Sequence, residues 1–173
     1  MLKYMLIIFY LLVVCGCTIK NDRHDRVDFE KLSKELFFSF DYTTEVIFYK
    51  NELDVTNLYF DKSNLTKEQF DKKIESALLN KGWGRISPLF EDQIIYCFDK
   101  KNEMSVVYPK KEYYFNENGD SMTVKKENLN KWVILFRYNM HGDTNCENYV
   151  KNNFQKKSND FKYLGGNYQK RSV

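Results

Sequence analysis

Residues Lys131 to Asn139 read KWVILFRYN, the most apolar strand-like stretch of the chain outside its amino terminus. Trp132, Ile134, Phe136 and Tyr138 alternate with Val133, Leu135 and Arg137, the period of two that a β-strand requires. Both sets are largely apolar, so the strand is expected at the centre of a sheet. On its C-terminal side, His141 to Lys157 turns and becomes helical. Thr144 and Glu147 have capping-box spacing, and Cys146, Tyr149, Val150 and Phe154 share one face. On its N-terminal side lie two hairpins. Asn118-Gly119 is the strongest turn signal, joining Glu112–Phe115 to Met122–Lys125. Asp99 to Asn102 joins the stretch Asp92–Phe98 to Met104–Tyr108. In Asp92–Phe98, Ile94 and Tyr96 face one way and Ile95 and Cys97 the other, so that strand too is covered on both sides.

Further upstream, Leu65 to Gly82 carries a complete set of helix signals. Thr66 and Gln69 form a capping box, and Leu65 and Phe70 a hydrophobic staple. Phe70, Ile74, Ala77, Leu78 and Lys81 make one stripe, and Gly82 stops the helix so that Trp83 folds back onto Leu78. Thr44 to Phe60 reads as two strands about Asn51-Glu52. Val27 to Phe40 places Leu32, Leu36, Phe37 and Phe40 at helical spacing, with Lys31 and Glu35 spaced for an i,i+4 pair. The order helix, two strands, helix, several antiparallel strands, helix predicts an α+β fold. In it an antiparallel sheet of hairpins carries about three helices on one face.

The chain begins MLKYMLIIFYLLVVCGC: Lys3, an apolar run from Met5 to Val14, then a small residue before Cys17. The run is too short for a membrane span, which takes about 20 apolar residues, and has the layout of a secretory signal peptide. Its end, Val14-Cys15-Gly16-Cys17, resembles the lipobox of bacterial lipoprotein precursors. The resemblance implies cleavage after Gly16 and acylation of Cys17, with thioether-linked diacylglyceryl and an amide-linked fatty acid such as palmitate. Thr18 in place of the aspartate that retains such proteins at the inner membrane implies, in a Gram-negative source, the periplasmic face of the outer membrane. The expected organisation is a signal peptide over 1–16, a lipidated Cys and solvated tether over 17–26, one domain over 27–157 and a loosely ordered tail over 158–173. With Cys15 and Cys17 accounted for, Cys97 and Cys146 remain as an even pair in an exported chain, for which a disulfide is the default.

Charge and motifs narrow the function by exclusion. The net charge is +3 over 173 residues, with acids and bases interleaved, which gives no electrostatic footprint for nucleic acid. Tyr (13) and Phe (14) are abundant against 7 Gly and 2 Pro, a composition that suits strands and binding faces better than disorder. His24 lies among Asp22, Asp25 and Asp28 in the tether and reads as part of a solvated arm. His141, two residues from Asp143, reads as a loop residue before a helix. Glu91 and Asp92 are adjacent, so on a strand they point to opposite faces and do not converge as an acid–base pair. The loop Asn116 to Asp120 has calcium-type residues without the EF-hand pattern. Gly82-Trp83-Gly84 is not a phosphate loop. No catalytic, metal or cofactor set is expected.

The expectation is therefore a small outer-membrane-anchored lipoprotein. It acts as a non-catalytic protein-interaction module in the envelope, either an immunity protein against a delivered toxin or an accessory subunit of an envelope machine. A carrier or sensor of a small apolar ligand is the alternative, and an envelope hydrolase the third. Its partners are the bilayer, through acylated Cys17, and an envelope or toxin protein. Cys17→Ser should move the protein from the detergent phase to the aqueous phase in detergent phase partitioning of whole cells. Retention in the detergent phase would overturn the lipoprotein reading.

Overall fold

The computed structural model describes residues 24–147 and 149. Cys17, the signal sequence and the tail from 158 lie outside the described residues. The elements are α1 (Phe29–Phe37), β1 (Thr43–Tyr49), β2 (Leu53–Asp61), a helical segment in three parts, then β3 (Gly84–Ile86), β4 (Gln93–Cys97), β5 (Asn102–Val107), β6 (Tyr113–Phe115), β7 (Ser121–Thr123) and β8 (Lys131–Asn139). The helical segment is α2 (Lys67–Gln69), a π-helical stretch (Phe70–Glu75) and α3 (Ser76–Asn80). A final helix, α4, begins at residue 144. The class is α+β.

Six strands form one antiparallel sheet in the order β1-β2-β8-β5-β4-β3, and β6 and β7 form a separate hairpin. The KWVILFRYN strand lies inside the sheet as expected, between β2 and β5. Its alternation sorts the molecule into layers. Trp132, Ile134, Phe136 and Tyr138 are buried together with Leu58, Phe60, Tyr96, Met104 and Val106, beneath α1 and the α2–α3 segment. Each such fully buried large apolar side chain contributes about 1.5–3 kcal/mol. Phe29 stacks on Phe136 at 5.1 Å and Phe70 on Trp132 at 5.0 Å. The Trp132 indole donates to the Leu65 carbonyl at 2.6 Å, so the one polar atom of this large side chain is satisfied inside the core.

The opposite face is covered at both ends. Val107, Tyr114 and Val124 bring the β6–β7 hairpin against Val133. At the other end Cys146 and Tyr149 pack on Ile95, Cys97 and Ile86. The expectation of all helices on one face is therefore corrected: α4 lies across the sheet from α1 and α2–α3. The cause is the even spacing of Ile95 and Cys97, which point away from Ile94 and Tyr96 and pull Cys146 to their side.

Local signals translate as physics requires. Thr66 and Gln69 form both halves of the capping box. Gly82 takes φ +89° and the Trp83 N–H donates to the Leu78 carbonyl at 3.1 Å, closing the helix. Four details differ. The expected Lys31–Glu35 pair is replaced by Lys34–Glu30 and by a tertiary Lys81–Glu35 bridge, each at 2.6 Å. That bridge also places Lys81 on the exposed side, off the buried stripe. The cap of α4 is Asp143, not Thr144: Asp143 Oδ1 accepts from the Asn145 N–H and its carbonyl from the Cys146 N–H. β3 has no counterpart in the sequence reading, because three residues beginning with glycine carry no period. At Gly84 a Cβ would come within 1.8 Å of the Tyr149 hydroxyl, so a larger residue would displace that ring.

Cys97 and Cys146 stand at bonding distance, Sγ to Sγ 2.03 Å with Cα atoms 5.5 Å apart, joining α4 to β4 across 49 residues of sequence. Loop-closure entropy for that span gives about 4 kcal/mol before native strain is subtracted. Replacing both cysteines by alanine should lower the urea midpoint by an amount equivalent to about 2–4 kcal/mol. An unchanged midpoint would show that the bridge does not form.

Candidate interaction edge and carboxyl cluster

Among the described residues, β1 is one of the two outer strands of the sheet and pairs only with β2. All seven of its residues are exposed, and Val46 is 60 % exposed and Tyr49 58 %. Ile47 and Phe48 complete an apolar quartet flanked by Glu45 and Lys50. The register slips between Val46 and Phe48, a β-bulge that leaves Ile47 without a partner in β2. An edge of this kind presents unpaired backbone donors and acceptors to another strand. α1 covers β8 and β2 but stops short of β1. A groove of about 560 Å³ therefore opens between the helix and the β1–β2 face. Its floor is Asp54, Thr56 and Leu58, and its outer wall Thr44, Val46 and Tyr49.

The end of the groove is built by the residues just before α1. Asp25 is not part of a loose arm: Oδ2 accepts from the Lys101 ammonium at 2.6 Å and the Tyr138 hydroxyl at 3.2 Å, and its carbonyl accepts from the Asn102 amide at 2.9 Å. The Lys101 hydrogen bond, chiefly, holds the Asp25 pKa below its ordinary value despite some desolvation. Asn102 Oδ1 in turn accepts from the Val27 N–H. Arg26 then reaches into the groove. Its Nη2 donates to the Tyr49 hydroxyl at 3.3 Å, its guanidinium lies 5.2 Å from that ring's centroid, and Nη1 stands 3.6 Å from Asp54 Oδ2. The tether expected over 17–26 thus ends by residue 25, where a carboxylate and a guanidinium find partners across four strands.

A second cluster sits on the opposite face, beneath the disulfide. Glu103 (β5) and Asp143 (the α4 cap) are both buried, Glu103 to 2 % exposure, and their carboxyl oxygens and Cys146 Sγ all lie within 4.8 Å of one another. Arg137 Nη1 donates to Asp143 Oδ2 at 2.7 Å, and the Asn145 amide to Glu103 Oε2 at 3.1 Å. Burial, then the Asp143 charge, pushes the Glu103 pKa up to about 7. Burial opposes ionisation of Asp143 too, but hydrogen bonds from Glu103, Arg137 and the Asn145 N–H outweigh it and hold its pKa below the ordinary value. Below about pH 7 Glu103 therefore holds a proton that it donates to Asp143. The cluster clamps α4 to the sheet. It is closed to substrate, and its sulfur is spent in the bridge.

Of the residues singled out from sequence, Cys97 and Cys146 are brought together and Cys17 is outside the described residues. His141 is exposed and stays out of the carboxyl cluster that forms two residues on. His24 is exposed, while Asp28 caps α1 by accepting from the Lys31 N–H. Glu91 and Asp92 diverge to Lys111 and Lys110. In the 116–120 loop, Asn116 Oδ1 accepts from the Asn118 and Asp120 N–H groups, so its polar atoms hold the turn. Sequence reasoning missed Asp54, Arg26 and Glu103. Asp54 and Glu103 stand at strand ends where a carboxylate reads as a turn residue, and their only signal is falling in phase with the buried residues of β2 and β5. No family model, no curated protein and no solved structure was found to match this chain.

The carboxyl pair sets a pH dependence. Because the Glu103 pKa is raised from 4.5 to about 7 on folding, its contribution is full below pH 4.5 and is lost as pH rises through 7. Asp143 acts oppositely, its contribution being lost as pH falls through 3.8 and below. Glu103→Gln keeps a donor toward Asp143 at every pH. In urea titrations the variant should be nearly flat from pH 5 to 8. The wild type should lose stability on the order of 3 kcal/mol over the same range. Parallel profiles for the two proteins would contradict this assignment.

Proposed function

We propose that this chain is a lipid-anchored envelope protein that works by binding another polypeptide along β1, and not by catalysis. The observation that carries the reading is the contrast between β1 and the rest of the sheet. Every residue of β1 is exposed, four of them large and apolar, while β5 is buried at all six positions and β8 at every second one. Strand addition is a common recognition mode in which backbone hydrogen bonds give affinity and alternate side chains give specificity. The occupant is an extended segment of another envelope or incoming protein. The address comes from Met1 to Cys17, and among the described residues no helix is long and apolar enough to cross a membrane.

The carrier reading has less support. The groove is of ligand size, but it is open and its lining includes Arg26, Asp28, Glu30, Lys34 and Asp54, charges that do not suit a small apolar guest. The hydrolase reading lacks an accessible acid–base pair among the described residues. Immunity toward a delivered toxin and service as an accessory subunit both use the same edge, and the identity of the captured protein separates them.

The test is crosslinking and mild-detergent isolation of the full-length acylated protein from its own cells and from cells challenged with neighbouring strains. It is run beside a Val46→Lys/Phe48→Lys variant, since edge lysines oppose strand pairing. A near-stoichiometric partner should come down with the wild type and fall at least tenfold with the variant. The same partner at the same level with both proteins, or bait alone under crosslinking, would overturn the proposal.

A further inference from the structure

Asp54 lines the floor of the groove, and one of its two carboxylate oxygens has no hydrogen-bond partner. It is 8 % exposed, yet its Oδ1 is buried with no hydrogen-bond partner. Its Oδ2 faces Arg26 only at ion-pair distance, 3.6 Å, beyond hydrogen-bonding reach. Burial raises the pKa of this carboxyl, and Arg26 and the Thr56 hydroxyl act against that rise without cancelling it. Buried polar atoms are almost always paired, and those that are not call for a reason. Here the resident cation is held off by its other contacts: Arg26 is committed to the hydroxyl and ring of Tyr49.

The surroundings define what would complete the site. Among the charged residues lining the groove, three carboxylates face two cations, a net charge of −1. Lys34 is already bonded to Glu30, and Asp28 to the first turn of α1. The acceptor left without a donor is Asp54 Oδ1. Val46 and Leu58 supply apolar surface leading to it. A guest with an aliphatic stem and one cationic head matches both features, because such side chains lay the stem along apolar surface and keep the head on a polar group. Asp54 lies opposite Tyr49 in the β1–β2 register. A strand added outside β1 would have its backbone two strand spacings, about 10 Å, from that of Asp54. A long basic side chain can bridge that gap, with Arg26 and Tyr49 giving way.

We propose that the groove seats a lysine or arginine side chain of the polypeptide that adds to β1, its cationic head donating to Asp54 Oδ1. This rests on the reading of β1 as the docking edge. It goes further in naming the chemistry of the partner: an extended segment with a basic residue facing the α1 side, flanked by apolar or hydroxyl side chains.

The test uses the full-length protein in mild detergent and short synthetic peptides of alternating Val and Thr. Their central residue is Lys, Arg, norleucine or Glu, and binding is read by fluorescence anisotropy. The Lys and Arg peptides should bind on the order of tenfold tighter than the norleucine peptide, as a charge-assisted hydrogen bond to a buried carboxylate implies. The Glu peptide should bind weakest. In Asp54→Asn, an isosteric change whose folding is checked by thermal melting, the Lys peptide should fall to the norleucine level. Equal binding of Lys and norleucine peptides by the wild type, or a basic preference that survives in Asp54→Asn, would overturn the seat. If the peptides bind and Val46→Lys/Phe48→Lys abolishes binding, but no basic preference is seen, the edge stands and only the seat falls. If no peptide binds, both fall.

Discussion

β8 is paired along its whole length with β2, nine register partners, and along two thirds of it with β5, six partners. Its alternate side chains bind the helical layer on one side and leave Val133, Leu135 and Arg137 to the other. The elements of the helical layer reach the same few residues. Phe29 of α1 stacks on Phe136, and Phe70 of the π-helical stretch stacks on Trp132. The loop before α2 is fixed by the indole bond to Leu65. Because β8 comes last of the strands in sequence yet sits inside the sheet, the β2–β8 and β5–β8 ladders form only once most of the chain has been made. The fold is therefore dominated by contacts between distant residues, the kind that pairs slowly. The disulfide adds a further constraint of this type by tying α4 back to β4.

How far the sequence foretold this depends on the period of each segment. Long periodic stretches are legible: the nine residues of β8, the stripe and capping box around Thr66, and the two-sided strand carrying Cys97. The bridge is legible by elimination, since two cysteines remain once Cys15 and Cys17 are set aside with the amino-terminal apolar run. What was hidden is of two kinds. Three-residue strands such as β3 have no period to read. Carboxylates such as Asp54 and Glu103 sit in phase with buried residues at strand ends, where composition says turn and geometry says interior. The anchoring of Asp25 and Arg26 was hidden for a different reason, because their partners Lys101, Asn102, Tyr138 and Tyr49 are remote in sequence and only the sheet brings them together.

The two faces of the sheet have been put to different uses. Beneath the disulfide, Glu103, Asp143, Arg137 and Asn145 satisfy one another and close that end. At the opposite edge nothing of the kind happens. β1 carries apolar side chains on both of its faces, and α1 leaves its groove uncovered. Exposed apolar edges carry a risk of self-association, which proteins limit with bulges and charges. β1 has a bulge at Ile47, and Glu45 and Lys50 bracket its apolar quartet. Such an edge resists indiscriminate pairing and still accepts a strand whose side chains and charges are matched.

In a protein anchored at Cys17, the stitching of Asp25 to β5 and β8 would also decide which way the molecule faces. Asp25 comes eight residues after Cys17, a stretch that even at full extension spans less than about 30 Å. An acylated Cys17 would therefore be a short leash fastened at a fixed point. That point is the end of the sheet holding Asn102 and Tyr138, so in an acylated protein this end would be held near the bilayer. The β6–β7 hairpin, packed against Val133 at the far end of β8, would then face away from the bilayer. Tyr49 and Asp54 lie at that same end of the sheet and Thr43 at the other, so under such an anchor Asp54 would be on the membrane side of β1. A partner strand would be read from top to bottom, its membrane-proximal end meeting the acidic seat. The anchor would thus supply a direction of approach as well as an address.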